Sequence, residues 1–450
     1  MSARPGVPQA PGGWPGIGHA IPLLRRRLEF FTSLAALGDV VEVRLGPTPA
    51  YVVTHPELVH RVLVTHARDY ARGRFFDRLT SLIGEGLATT SGQTHRRLRR
   101  MVQPAFHHSR FTAYAEVMRE AAETMTASWR PGQTIAVDRA VNDLSLRVVA
   151  KTLFASEVGE QAAARIERSM PIVMHGVLLR TILPTVWGRL PTPGNRRYDR
   201  AIAEITRAVG ETIDAYRGGG VDHGDVMSML LAARDEGGRP LSDEQLRDQV
   251  LTLFIAGAET TGAELAWALW ELGRRPDVEQ RVHAELEAVL GDKPPAWEHL
   301  PSLDYTARVI AESLRLHSSW LIMRRTLRET SLGGVTLPKG AEVIYSPYML
   351  HHDPRWFPDP LRFDPDRWLP GIDGGAPKWA HIPFGSGAHK CIGDSFASAE
   401  MLIAMAVICS RWRLRPDPAR APKEVATVTV RPDRLPMTAE LRVPAPSRAR

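Results

Sequence analysis

The chain has 450 residues, 44% of them hydrophobic and 24% charged, which is typical of a folded globular protein and excludes a disordered chain. The formal net charge of +7 would suit a nucleic acid, an acidic membrane surface or an acidic protein partner. Because no zinc finger or other nucleic-acid motif accompanies that charge, we predict no nucleic-acid binding. Two cysteines in this length exclude a disulfide scaffold and suit a reducing compartment.

The N-terminal residues 1–20 are rich in proline and glycine and lack the apolar core of a signal peptide. We therefore predict a tail over 1–20, a single domain over 21–450 and a cytoplasmic location. A membrane span needs roughly 18 uninterrupted apolar residues. The longest candidate, 250–272, carries Glu259 and Glu264 in its middle, so we predict no span.

The order of the predicted elements indicates a mainly α fold with small β-sheets. Apolar and polar residues alternate on both sides of a Gly-Pro turn, which predicts a β-hairpin over 40–54. The pattern is then mainly helical up to residue 290, with amphipathic runs such as 113–129. Strand-like alternation returns over 332–348 around a Pro-Lys-Gly turn, and a helix is predicted over 394–411.

The most informative stretch is the glycine-rich loop before that last helix. Glycines let its backbone turn tightly and approach a flat ligand closely; they are Gly385, Gly387 and Gly393. His389 and Lys390, together with the N-terminus of the following helix, favour the thiolate form of Cys391 over the thiol. A thiolate is a ligand for ferric iron and donates electron density that helps to cleave a bound O–O bond.

Other interpretations of the two cysteines are possible. Cys409 lies inside an apolar run and is predicted to be a buried small hydrophobe. The helix between the two cysteines would hold them roughly 25 Å apart, which excludes a disulfide. Zinc is not favoured, because no second cysteine pair or histidine cluster has ligand spacing. An ordinary glycine loop is the alternative for Cys391.

Residues 250–270 are apolar nearly all round, which predicts a helix through the centre of the protein that ends near Gly273. Within it Glu259, Thr260 and Thr261 form a polar cluster, and buried polar groups cost free energy unless they are paired. In one interpretation the threonine hydroxyls bond to carbonyls one turn earlier and merely bend the helix. In the other, the bend opens a groove in which a hydroxyl and a carboxylate relay protons to a reacting oxygen.

Several motifs resemble those of the cytochrome P450 family and occur in that family's order. Residues 384–393, FGSGAHKCIG, match the haem-binding loop FxxGxxxCxG, and residues 256–260, AGAET, match AGx(D/E)T. Glu312 and Arg315 match the ExxR element, and residues 363–368, FDPDRW, resemble the meander motif. The resemblance implies the cytochrome P450 fold, a haem b cofactor and the use of O2 as a co-substrate.

The resemblance also assigns residues to the haem. Cys391 is the axial ligand and so the metal ligand. The other residues assigned to cofactor binding are His95, Arg99, Arg325, Phe384, His389 and Gly393. Phe384 packs beside the sulfur, and His389 reaches a haem propionate. His95 stands where the family often has tryptophan, and Arg324 is the alternative to Arg325.

The same resemblance gives Glu259 the role of acid and Thr260 the role of hydroxyl in a proton relay, so we interpret both as catalytic. Glu312 and Arg315 lie at i and i+3 and can pair on one helix face. With Arg367 of the meander motif they are implied to form a buried network that holds the loop under the haem. We interpret that network as structural.

The predicted pocket walls are apolar, which favours a small lipophilic substrate without a carboxylate. These walls are residues 75–89, 172–187, 253–256 and 320–323, with a turn near Ala426. Some stretches are most similar to bacterial members that oxidise cyclic terpenes such as pentalenene or epi-isozizaene: GDVVEVRLGP, HRRLRRMVQPAF, IYSPYMLHHDP and FDPDRWLP. We therefore predict a monooxygenase of a cyclic sesquiterpene. Another hydrophobic secondary metabolite, a fatty acid or a steroid is the alternative substrate.

Basic residues near the cysteine loop predict a positive face for an acidic redox partner. They are Arg96, Arg97, Arg100, Lys378 and Lys390. Ferredoxin with ferredoxin reductase, or flavodoxin, would then supply electrons to a monomeric enzyme. A peroxide-driven peroxygenase would share the haem loop, but the Glu259–Thr260 pair favours O2. A haem carrier or sensor would lack this pair, and a terpene cyclase would need a DDxxD-type magnesium cluster, which the sequence lacks.

Overall fold

The computed structural model of the chain describes residues 7–182, 185–219, 223–371, 377, 379–427 and 429–442. Within these ranges the α-helices are α1 (Ala20–Arg25), α2 (Arg27–Leu34), α3 (Pro56–His60), α4 (Arg74–Ile83), α5 (Gly92–Val102), α6 (Phe111–Ala127), α7 (Val137–Leu153), α8 (Glu157–Ile182), α9 (Pro193–Gly219), α10 (Val226–Ala232), α11 (Asp243–Gly273), α12 (Pro276–Leu290), α13 (Asp304–Leu316), α14 (Pro347–His351) and α15 (Asp394–Arg411). The strands are β1 (Val40–Leu45), β2 (Thr48–Val53), β3 (Tyr70–Arg72), β4 (Thr134–Ala136), β5 (Ile322–Thr326), β6 (Thr330–Leu332), β7 (Val335–Leu337), β8 (Glu342–Tyr345), β9 (Trp412–Pro416), β10 (Glu424–Ala426), β11 (Val430–Pro432) and β12 (Pro436–Leu441).

The largest sheet has the order β1-β2-β8-β5-β3. Its first two strands form the predicted hairpin, with Leu45 opposite Thr48 at the turn. The strands on either side of the Pro-Lys-Gly turn are present, but they belong to different sheets: β7 pairs with β6, whereas β8 pairs with β2 and β5. At the far edge β3 runs antiparallel to β5 and places Arg72 opposite Arg324.

Helix α11 runs through the core and packs extensively against α7. It begins at Asp243, earlier than predicted, after a capping box in which Ser242 and Gln245 bond to each other's backbone N–H groups. The predicted end at Gly273 is confirmed. A Cβ atom at Gly273 would lie 2.3 Å from the carbonyl oxygen of Leu414, so only glycine fits where this helix meets β9.

Glu312 on α13 is the centre of a buried hydrogen-bonded group, which we call the Glu312 network. Its carboxylate accepts two hydrogen bonds from Arg315, at 2.8 and 2.9 Å, and lies 3.5 Å from Nε of Arg367. It also accepts from the indole N–H of Trp368 at 3.0 Å and from the backbone N–H of Asp364 at 3.0 Å. The side chains of Glu312 and Arg315 are both 0% exposed. The implied network is therefore present, and it ties α13 to the meander.

Ser318 gives the chain after α13 a polar contact. Its hydroxyl lies 2.7 Å from Nδ1 of His351, and Nε2 of that ring accepts from the backbone N–H of Ile382 at 3.0 Å. The serine is thus joined through one histidine to the segment that leads into the cysteine loop. In the part of the chain that the structure describes, no helix is both long and apolar enough to cross a membrane.

Candidate active site

The cysteine loop is held in one tight conformation by its glycines. Gly385 and Gly387 have φ angles of 70° and 69°, a region that L-residues with side chains rarely adopt. A Cβ atom on Gly387 would also lie 2.1 Å from the carbonyl oxygen of Leu63. The backbone N–H of Cys391 donates to the carbonyl of Phe384 at 2.9 Å, which closes the loop. Helix α15 begins three residues later.

Cys391, Phe384 and Gly393 line a cavity of about 320 Å³ between the cysteine loop and α11. We call it the central cavity. Its walls are mainly apolar, with side chains from α6, α7, α11 and α15. Apolar lining residues are Tyr114, Val149, Leu153, Leu253, Leu314, Ile322, Phe396 and Met401. Cys409, in contrast, is buried within α15, and both cysteines are free thiols.

One end of the central cavity is cationic. Arg72 and Arg324 line it with His389 beside them, and we call the two arginines the cationic cluster. Among the described residues, Nε of Arg72 and Nδ1 of His389 have no hydrogen-bond partner. Arg324 donates to the backbone carbonyl of Met323 at 3.0 Å. Burial and the neighbouring charge of Arg324 hold the pKa of Arg72 well below its usual value. The pKa of Arg324 is lowered by burial as well.

His95 and Arg99 on α5 stand behind this cluster. The ring of His95 lies 4.0 Å from that of His389, centre to centre. Burial, followed by the charge of Arg72, lowers the pKa of His95 to about 4, and the same causes lower the pKa of His389 further. Both rings are therefore neutral hydrogen-bonding groups at pH 7. Arg99 donates to the carbonyl of Lys390 at 2.7 Å and so supports the cysteine loop.

Arg325 is not among the residues that line the central cavity, whereas its alternative, Arg324, is. Its guanidinium donates to Glu342 at 2.7 Å and to Asp77 at 2.6 Å. Successive residues of a strand point to opposite faces, so on β5 only one of the two neighbouring arginines can face the cavity. That residue is Arg324, and the geometry favours it over Arg325 for a haem propionate.

Thr260 and Glu259 on α11 face two different cavities. Thr260 lines the central cavity, and its hydroxyl donates to the carbonyl of Ala256 at 2.5 Å. Glu259 lines a second cavity of about 1020 Å³, where its carboxylate accepts from the hydroxyl of Thr427 at 3.3 Å. Burial raises the pKa of Glu259, and the nearby charge of Arg431 opposes that rise. The pair thus connects the two sides of α11.

The surroundings of the Cys391 thiol raise its pKa overall, whereas its sequence neighbours alone favour the thiolate. Burial is the largest influence and raises the pKa, although the backbone N–H of Gly393 and the charges of Arg99 and Lys390 act in the opposite direction. Lys390 is paired with Asp394 on α15, and the charge of Asp394 also raises the pKa of the thiol. A bound metal cation would favour the thiolate.

Two further polar residues of the central cavity were missed by sequence reasoning. Glu264 lines it, and burial raises the pKa of this carboxyl well above the usual value. Its position four residues after Thr260, on the same helix face, was a usable signal. Arg72 gave no such signal, because only the pairing of β3 with β5 brings it beside Arg324.

The predicted pocket walls and basic face are only partly found at the places expected. Of the walls, Leu253, Ala256 and Ile322 line the central cavity, whereas Ala426 lines the second. Positions 183 and 184 of the predicted wall lie outside the described residues.

The predicted basic face is largely neutralised by acidic partners. Three of its residues are ion-paired: Arg97 with Asp235, Arg100 with Glu236 and Lys390 with Asp394. Lys378 of this face lies outside the described residues.

A family model described as cytochrome P450 matches residues 8–436 of the chain. The chain belongs to the cytochrome P450 family. This P450 is 46% identical to cyclooctat-9-en-7-ol 5-monooxygenase of Streptomyces melanosporofaciens, over 91% of this chain and 90% of that protein. It is 40% identical to pentalenene oxygenase of Streptomyces avermitilis, over 97% of each chain. The retinoic-acid-bound cyanobacterial CYP120A1 superposes with a TM-score of 0.88 at 25% identity, covering 98% of this chain and 100% of that one.

Family membership makes the protein an oxidoreductase with a haem-thiolate iron cofactor and with O2 as co-substrate. The central cavity fits such a group in three respects. It has a cysteine sulfur on one wall, mainly apolar side chains around it, and at one end buried cations that lack an anionic partner among the described residues. Haem carries two propionate carboxylates, which are the kind of partner that the cationic cluster requires.

Proposed function

We propose that this P450 inserts one oxygen atom from O2 into a cyclic terpene, with haem b in the central cavity. The similarity to two enzymes named for cyclic terpene substrates, at 46% and 40% identity over nearly the whole chain, carries this proposal. The mainly apolar lining of the central cavity supports it, because a hydrocarbon substrate offers no polar group that needs a partner.

Cys391 would hold the iron through its sulfur, with Phe384 and Gly393 of the same loop beside it. Arg72, Arg324 and His389 would hold the propionates through charge-assisted hydrogen bonds. His95 and Arg99 would act behind them: His95 orients the ring of His389, and Arg99 fixes the backbone of Lys390. When bound, the haem iron supplies the redox chemistry that activates O2.

Glu259 and Thr260 would move protons toward the reacting oxygen. Half-buried Glu259 has a raised pKa, which favours the protonated form that a proton donor needs. It faces the second cavity, whose lining includes charged residues such as Arg139, Asp143 and Arg434. Thr260 faces the central cavity, and its oxygen retains lone pairs after the hydroxyl has donated to Ala256. A proton taken up on the charged side can therefore reach the apolar side through this pair.

We further propose that the protein is a cytoplasmic monomer, which receives electrons from ferredoxin and ferredoxin reductase or from flavodoxin. Lipophilic substrates and separate redox partners are typical of bacterial members of the family. Oxidation of a fatty acid is less well supported, since the arginines of the central cavity that could pair with its carboxylate are those that would hold the propionates. A peroxide-driven reaction would not need the Glu259–Thr260 pair.

A binding screen tests the substrate class. Cyclooctat-9-en-7-ol, pentalenene and retinoic acid are titrated into the haem-loaded protein, and the change of iron spin state is followed by absorption. We expect the two terpenes to produce the change at lower concentration than retinoic acid. Turnover under ¹⁸O2 should then add one labelled oxygen atom to the product. Absence of any spin-state change with cyclic terpenes would contradict the terpene proposal.

A further inference from the structure

His317, at the C-terminal end of α13, is buried between two carboxylates. Its Nε2 lies 3.3 Å from Oε1 of Glu271, and its Nδ1 lies 3.1 Å from Oε1 of Glu424. A neutral imidazole carries a single N–H and could donate to only one of these oxygens. With both carboxyls ionised, the two contacts require both ring nitrogens to be protonated. The arrangement is therefore that of an imidazolium cation between two carboxylates.

The surroundings of this ring stabilise the cation. The indole of Trp267 stacks on it with 3.9 Å between ring centres and 5° between planes, an arrangement that favours a positive ring. Burial alone would lower the pKa of His317, but the hydrogen bonds and charges of Glu271 and Glu424 raise it above its ordinary value. Conversely, burial alone would raise the pKa of both carboxyls, and the contacts with His317 keep it lowered.

The remaining oxygens of the two carboxylates also have donors. Arg275 pairs with Oε2 of Glu271, and the hydroxyl of Tyr348 donates to Oε2 of Glu424 at 2.8 Å. Each carboxylate is thus satisfied only while the imidazolium is present. The side chain of Glu424 is 28% exposed, so this buried group exchanges protons with solvent through one of its own members.

This charged group joins the hairpin of β10 and β11 to the core. Glu271 belongs to α11, His317 directly follows α13, and Glu424 begins β10. Trp267 of α11 adds a hydrogen bond from its indole N–H to the carbonyl of Val430 on β11, at 2.9 Å. Both strands of the hairpin are therefore attached to α11, one of them through the imidazolium.

The hairpin in turn supplies the groups that face Glu259. Thr427 donates to its carboxylate at 3.3 Å, and Arg431 of β11 provides the positive charge that opposes the rise in its pKa. Trp320 donates to the carbonyl of Thr427 at 2.8 Å and fixes the turn from the other side. The position of the hairpin thus sets the electrostatic surroundings of the proposed relay acid.

We propose that protonated His317 is a positioning residue, which holds the β10–β11 hairpin so that Thr427 and Arg431 face Glu259 and proton delivery stays coupled to product formation. This inference rests on the proposed relay role of Glu259. The groups that face the imidazolium or its two carboxylates are Glu271, Arg275, Tyr348, His352 and Glu424.

The dependence on pH follows from the direction of the shifts. The pKa of His317 is raised in the folded protein above the unfolded value of about 6.5. The stability that the imidazolium contributes is therefore fully present below pH 6.5, and it is lost as the pH rises through the higher folded pKa. Glu271 and Glu424 behave in the opposite sense: their contribution is lost as the pH falls through their lowered values. Alkaline pH should therefore release the hairpin and uncouple the enzyme.

The test measures peroxide released per electron consumed, from pH 6 to pH 10, with the haem-loaded protein, ferredoxin, ferredoxin reductase and cyclooctat-9-en-7-ol. In the unmodified protein this ratio should rise at alkaline pH. His317→Gln should raise the peroxide ratio about fivefold at neutral pH, because a displaced hairpin would remove one hydrogen bond from Glu259, worth about 1 kcal/mol. The variant should also lose the pH dependence. His283→Gln is the matched control, because His283 is also buried but the charges that act on it are those of arginines 413, 415 and 442. The His283→Gln variant should keep the peroxide ratio and the pH profile of the unmodified protein.

Two further measurements separate the possible failures. Thr427→Val removes only the hydroxyl at Glu259 and should raise the peroxide ratio even if His317→Gln does not fold. Nitrogen NMR of labelled histidine should show His317 with both ring nitrogens protonated at pH 7. A neutral ring of His317 at pH 7 would overturn the positioning role alone. The same conclusion would follow if His317→Gln kept the normal peroxide ratio and pH profile while Glu259→Gln was uncoupled. Normal coupling in Glu259→Gln would overturn the relay and this inference together.

Discussion

The central cavity and the Glu312 network both contain buried arginines, but only the network supplies their anionic partner from the chain itself. Glu312 accepts from Arg315 and Trp368 and stands 3.5 Å from Arg367. In the cavity, Arg72 and Arg324 are stacked against aromatic rings instead, with their guanidinium carbons 4.3 Å from the ring centre of Phe76 and 6.0 Å from that of Tyr345.

This difference separates structural charge from charge that serves a ligand. Removing a charge from water costs several kcal/mol, on the order of the stability of a whole domain, unless a partner compensates for it. The Glu312 network compensates internally and so contributes to the fold. The cationic cluster is compensated when a dianionic group enters the cavity. We therefore expect substitutions in the Glu312 network to lower the stability of the apoprotein, and substitutions in the central cavity to impair haem binding with little loss of that stability.

The largest effect is expected for Cys391→Ala. The variant should lose the strongly red-shifted Soret band of the reduced, carbon-monoxide-bound protein and all turnover, because no other cysteine lines the central cavity in the described part of the chain. Its free energy of unfolding should be nearly that of the unmodified apoprotein. Cys409→Ala is the control and should retain the red-shifted band. A pigmented Cys391→Ala protein with an unchanged spectrum would contradict thiolate ligation.

Glu312→Gln should have the reverse signature. It leaves Arg315 buried without its anion, which is expected to lower the free energy of unfolding by about 3–5 kcal/mol. Urea unfolding of the apoprotein measures this loss. Glu116→Gln, which breaks an exposed pair with Arg119, should change it by about 0.5 kcal/mol or less. Equal losses in the two variants would show that the Glu312 network is not the structural centre that its burial indicates.

Arg324→Met tests the cationic cluster. Loss of a charge-assisted hydrogen bond to a propionate should speed the transfer of haem to apomyoglobin on the order of tenfold or more. Stability of the apoprotein should stay equal or rise, since a buried unpaired cation has been removed. Arg325→Met is the matched control and should release haem at the normal rate. If Arg325→Met accelerated release and Arg324→Met did not, the original sequence-based assignment would be right.

These contrasts also indicate which features a sequence can reveal. The hairpin, the central helix and its end at Gly273 follow from local patterns, and the cysteine loop follows from glycine spacing and its family motif. Arg72, in contrast, acquires its place through the pairing of β3 with β5, which places it opposite Arg324, 252 positions later. The choice between Arg324 and Arg325 depends on the register of β5, because a shift by one residue exchanges the two faces.

The ionisation of Cys391 could not be predicted from its neighbours either. Sequence shows the cations beside it, but burial and the pairing of Lys390 with Asp394 appear only in three dimensions. The proposed contribution of His317 is a similar case. Its two carboxylate partners lie 46 residues before it and 107 residues after it, and no local pattern connects them.

The smallest expected effect concerns Thr260, where two interpretations of one hydroxyl remain to be separated. If its bond to the Ala256 carbonyl only shapes the helix, Thr260→Ala should leave coupling unchanged, because alanine has the higher helix propensity. If the hydroxyl also passes protons into the central cavity, the variant should release on the order of tenfold more peroxide per electron. We expect the second outcome, with a free energy of unfolding within about 0.5 kcal/mol of the unmodified protein. Thr260→Ser keeps the hydroxyl and should restore coupling, which a role in helix shape alone would not require.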